Sequence, residues 1–102
     1  MTEESVCTLQ LASRGRSKAE IRLCHRDEHW WYGISLDYSY GGFSFPTGYG
    51  PFESRQIAER EAAEHVLRHF PKPFNSDPDS VKAELADLRS QVEARLSQPS
   101  LL

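Results

Sequence analysis

A chain of 102 residues with 38% hydrophobic and 26% charged residues has room for one core, and that core must be economical. Its net charge of −3 supplies no global field toward nucleic acid or an anionic membrane. No apolar run reaches membrane-spanning length, and the N-terminal MTEESVCTL lacks a basic-then-apolar signal pattern, so a cytoplasmic protein is expected. Cys7 and Cys24 are expected as buried thiols rather than a disulfide.

Residues 5–11 (SVCTLQL) alternate, with Cys7, Leu9 and Leu11 on one side, the period of a half-buried strand. ASRGRS reads as a turn. KAEIRLCH (18–25) then sets Ala19, Ile21, Leu23 and His25 against Lys18, Glu20, Arg22 and Cys24, so the two strands predict a hairpin. After a charged turn, Arg26-Asp27-Glu28, comes HWWYGISLDYSYGGFSF (29–45), with both tryptophans and three of the four tyrosines. Trp30, Tyr32, Ile34, Leu36 and Tyr38 form the expected core face, and Trp31, Gly33, Ser35 and Asp37 the other. Gly33 marks a close approach or a bulge. Ser39 to Gly42 turns the chain into a short strand, Phe43–Phe45, which Pro46 is expected to end at a sheet edge, leaving Thr47 to Phe52 as a loop.

Ser54 is placed to cap a helix running to Phe70. Its core stripe is Ile57, Ala58, Ala62, Ala63, Val66, Leu67 and Phe70, with the alanines permitting close approach to a sheet. Arg55/Glu59, Arg60/Glu64 and Glu64/Arg68 are spaced as ion pairs on the solvent side. Pro71 and Pro73 stop this helix, and Asp77-Pro78 restarts another with Asp77 as cap. Val81, Leu85, Leu88, Val92 and Leu96 line a seam of about two heptads, too short to stand alone. It must dock on its own domain or form a homodimer. The expected organisation is α+β: a three- to four-stranded antiparallel meander on one helix (residues 1–73), a linker (74–79), and a C-terminal amphipathic helix with a frayed tail (80–102).

Catalytic and metal constellations are weak. Cys24 and His25 are adjacent in a strand and point to opposite faces, so with Cys7 and His29 they make a poor zinc set. His65 and His69 share a helix face with only Glu61 nearby. No serine or cysteine has a recognisable base, and the glycines match no phosphate loop. No enzyme activity, metal or cofactor is expected.

Binding remains. Arg14, Arg16, Lys18 and Arg22 make the first hairpin basic, and Trp31 on the outer strand face could stack beside them. With Phe52-Glu53-Ser54-Arg55-x-x-Ala58-x-x-x-Ala62-Ala63 opening a helix behind the sheet, the layout of residues 5–70 resembles the arm-binding domains of phage integrases and the sheet-plus-helix DNA-binding domains of plants. That resemblance implies a sheet laid in the major groove. Against it stand Asp27, Glu28 and Asp37 in or beside the sheet. The leading expectation is therefore a non-catalytic protein–protein interaction module, a regulator, adaptor or inhibitor of the kind phages and mobile elements carry. Trip points for a partner would be Trp31, Tyr40 and Tyr49 as aromatic anchors, with Arg14, Arg16, Lys18 and Arg22 steering it. Nucleic-acid binding through the basic hairpin and outer sheet face is the alternative.

Overall fold

The computed structural model describes residues 5–98. Four antiparallel strands, β1 (Ser5–Arg14), β2 (Ser17–Arg26), β3 (His29–Tyr38) and β4 (Gly41–Phe52), form a meander in the order β1-β2-β3-β4. Two helices follow, α1 (Arg55–Arg68) and α2 (Asp79–Leu96). This is an α+β fold with an open sheet. Both helices lie on one face: α1 crosses β2 and β3, α2 runs over β1, and among the described residues the opposite face carries no helix. The frayed tail expected over 97–102 falls largely outside the described residues.

The alternation in the sequence sets the register. Leu23 pairs with Tyr32, Ile21 with Ile34 and Ala19 with Leu36, and all six side chains are buried beneath the helices. In β1 a bulge follows Gln10. Leu11 and Ala12 therefore both turn inward beside Ala19, so Leu11 keeps its place in the core and the parity changes after it. Each hairpin turn is short. Gly15 adopts φ +60 in the first, while Asp27 and Glu28 take φ +53 and +65 in the second, where glycine or asparagine would be less strained.

β4 departs from expectation. It does not end at Pro46 but continues to Phe52, so the stretch read as a loop is strand. Its register breaks twice: Ile34 pairs with Phe45, Tyr32 with Tyr49, and Trp30 with Phe52. Pro46 falls in the first break, where a missing N–H costs no ladder bond, and the strand is an edge as expected.

Ser54 caps α1, its hydroxyl accepting from the Ile57 amide at 3.2 Å. The helix is rotated from the expected stripe: Ile57 is 45% exposed, whereas Glu59 is 1% exposed. A stripe built on alanine carries little burial energy, so close fit to the sheet sets the rotation. Glu59 is thus not on the solvent side. Its carboxylate accepts from Arg55 at 2.7 Å, and Arg55 also reaches Cys7 Sγ at 3.3 Å and lies over the Trp30 ring. The bond to Glu59 pushes the Arg55 pKa up. Arg60 does not pair along α1 but donates to the carbonyls of Leu96 and Gln98, capping the C-terminus of α2.

α2 begins one residue later than expected. Pro78 stands at the cap, and the Asp77 carboxylate accepts the Phe74 amide instead of a helix donor. Its seam is consumed within the chain: Val81, Leu85, Leu88 and Val92 are buried in the same core as α1 and the sheet, with Leu96 packed at its margin. Burying each such side chain stabilises by roughly 1.5–3 kcal/mol, which is why a helix too short to stand alone is held here. Glu84 fastens the other end. It accepts from Ser17 Oγ, Ser39 Oγ and the Ser39 amide. Burial opposes its charge, but these bonds win and hold its carboxyl below the ordinary value.

Candidate interaction surface

Among the described residues, no helix covers the second face of the sheet. β2 contributes Lys18, Glu20, Arg22, Cys24 and Arg26, which strand alternation places on this side, and β3 contributes Trp31, Gly33, Ser35 and Asp37.

Arg22 sits at its centre. The guanidinium crosses β3 above Gly33, donating to the carbonyls of Phe45 (2.5 Å) and Ile34 (3.3 Å), and to the hydroxyls of Ser35 and Thr47. Gly33 is what permits this. A Cβ there would lie 2.8 Å from the Thr47 amide nitrogen and 2.9 Å from Arg22 Nη2. Arg22 thus ties β2 to the carbonyls of the last regular β3–β4 pair before the register break. Lys18 pairs with Glu20 at 3.5 Å, and Arg26 lies over the Trp31 ring, 5.0 Å from its centroid.

The aromatic anchors expected from the sequence do not share a surface. Trp31 is on the helix-free face and half-buried: Gly50 packs against its indole, where a Cβ would meet Cε3 at 3.0 Å. Its Nε1 is buried and has no hydrogen-bond partner among the described residues. Tyr40, 59% exposed, is in the β3–β4 turn at the far end of the strand. Tyr49 points to the helix side. The basic residues also separate. Arg14 turns to α2, pairing with Asp87 at 3.5 Å and donating to the Ala83 carbonyl. Arg16 is exposed at the hairpin tip, leaving Lys18 and Arg22 on the helix-free face. Arg26 joins them there. The β2 alternation, carried one step past Cys24, was the signal for it.

A second cluster lies between β4 and α1. Tyr32 Oη and His65 Nδ1 are 2.9 Å apart, and Tyr49, Phe45 and His69 pack around the imidazole. Burial lowers the His65 pKa, and the charges of His69 and Arg68 lower it further. Burial also raises the Tyr32 pKa. Both shifts favour the neutral forms, and the imidazole tautomer sets which of the two groups donates. Nothing in the helical spacing of His65 and His69 signalled Tyr32, because the partner comes from another element. Among the described residues no three histidine, cysteine or acidic side chains converge as a metal set. His25 instead stacks on Trp30 at 4.6 Å, on the face opposite Cys24.

No described helix is long and apolar enough to cross a membrane. Compared with family models, with curated proteins and with solved structures, the chain matches none.

Proposed function

We propose that this chain is a non-catalytic binding module whose helix-free sheet face docks a protein partner, as a regulator, adaptor or inhibitor would. One observation carries the reading: among the described residues the four strands offer a face that no helix covers, and that face mixes both signs of charge around a half-buried tryptophan. Interfaces combine an aromatic centre with a polar rim in this way. Nucleic acid is the second reading, supported by Lys18, Arg22 and Arg26 along one strand. It is weaker because Arg22 is spent on backbone carbonyls, Lys18 faces Glu20, and Asp37 lies on the same side.

The double variant Lys18→Glu/Arg26→Glu tests both, since neither side chain is in the core. Under the protein reading, a partner retained by the wild-type chain from nuclease-treated lysate is lost by the variant, and neither protein binds random-sequence DNA or RNA. Salt-sensitive nucleic-acid binding by the wild type, abolished in the variant, would replace the protein reading with the alternative.

A further inference from the structure

An open sheet has two edges, and this one treats them differently. β4 is interrupted by Pro46, Pro51 and two register breaks, which spoil it as a template for another strand. β1 has no proline, and its one bulge, between Gln10 and Ala12, lies beyond the regular run Ser5–Gln10. Residues 5–13, SVCTLQLAS, hold no charge and no proline.

α2 covers only part of that edge. Gln91 accepts from the Ser13 amide at 3.0 Å and donates to the Ser13 carbonyl at 2.9 Å, copying the bonds of a neighbouring strand. Arg95 donates to the Gln10 carbonyl at 3.0 Å. These bonds identify which backbone groups point away from β2. In an antiparallel ladder such residues alternate, with Leu11 as the extra residue of the bulge, so Thr8 and Val6 are the next to turn outward. Among the described residues no side chain is hydrogen-bonded to the backbone of either, and Val6 is 60% exposed.

We propose that β1 is a homodimerisation edge, on which a second copy adds its own β1 antiparallel about a two-fold axis at Thr8. The open run from Val6 to Gln10 is symmetric about Thr8, and Thr8 carries outward donor and acceptor, as the residue on such an axis must. Pairing sets the two Thr8 residues opposite each other and exchanging bonds. It sets Val6 opposite Gln10, whose amide remains after Arg95 takes the carbonyl, and Cys7 opposite Leu9 on the helix side. Both of the latter are half-buried and gain cover. No like charges meet. The outcome is one eight-stranded sheet, and it stands whether or not the helix-free face binds a partner.

Sedimentation equilibrium of the full chain at micromolar concentration should give twice the 11.7 kDa chain mass. Thr8→Pro removes an outward amide that β2 does not use, so it should halve the measured mass with circular dichroism unchanged. Leu9→Cys provides a second reading should the proline variant misfold. Side chains across a non-hydrogen-bonded pair have Cα atoms about 4.5 Å apart, within disulfide range. Mild oxidation with oxidised glutathione should therefore link the introduced thiol to Cys7 of the second copy, with two glutathione thiols released per bond. The dimer band should vanish on reduction and in a Cys7→Ser background. A monomer at every concentration, or a dimer that persists in folded Thr8→Pro and gives no cross-link, would overturn the proposal.

Discussion

The two faces of this sheet are stabilised by different chemistry. On the helix side, Ile21, Leu23, Ile34, Leu36, Leu88 and Val92 are buried together, and the buried polar residues there (Ser17, Glu59, His65) each have a partner. On the helix-free side no second helix layer forms among the described residues, and the Arg22 guanidinium ties β2, β3 and β4 through backbone carbonyls. The comparison teaches that the irregular β4 adds a specific polar contact to the partial burial of Phe43, Phe45 and Phe52, whereas β1 to β3 depend chiefly on burial. It also locates where sequence change is cheap: the rim of the helix-free face, away from Arg22 and Gly33.

The largest effect should come from the covered side. Leu88→Ala removes a fully buried side chain at the meeting of α2 with the core and should cost about 3 kcal/mol, measured by urea unfolding. A loss under about 1 kcal/mol would mean that α2 is not part of the core, and the contrast between the faces would collapse. On the other side, Gly33→Ala places a Cβ against the Thr47 backbone and the Arg22 guanidinium, with an expected cost of about 2 kcal/mol. Amide exchange should show the loosening concentrated in β4. Uniform loosening would argue that Arg22 does not hold that strand.

A smaller effect distinguishes the polar groups of the covered face. Because burial lowers the His65 pKa below 6.5, the folded state holds fewer protons than the unfolded chain in the region just below that pH. The stabilisation from neutral His65 is complete above about pH 6.5 and is lost as pH falls from there toward the folded-state value. The melting temperature should therefore drop between pH 7 and pH 5, and His65→Gln should flatten that slope. Tyr32→Phe should cost about 1 kcal/mol at neutral pH through loss of the bond to Nδ1. The smallest effect belongs to the rim: Lys18→Ala breaks an exposed pair with Glu20 and should change stability by less than about 0.5 kcal/mol.

Period-two alternation from Val6 to Tyr38 determined three strands and most of their inward residues, because one parity of each strand carries most of the apolar burial; the bulge that turns both Leu11 and Ala12 inward left no such mark. The serine cap of α1 and the seam of α2 were legible for the same reason: capping and helical burial act over a few residues. Proline misled the reading at β4, since its rule forbids a central strand but not an edge with a register break. The rest was set in three dimensions. Nothing local says that α2 lies beside α1 rather than on the open face, that Glu59 turns inward, that Tyr32 meets His65, or that Tyr49 and Trp31 end on opposite sides. Those are contacts between distant segments, decided by which arrangement buries apolar surface while leaving nearly all buried polar groups a partner, Trp31 Nε1 being the exception among the described residues.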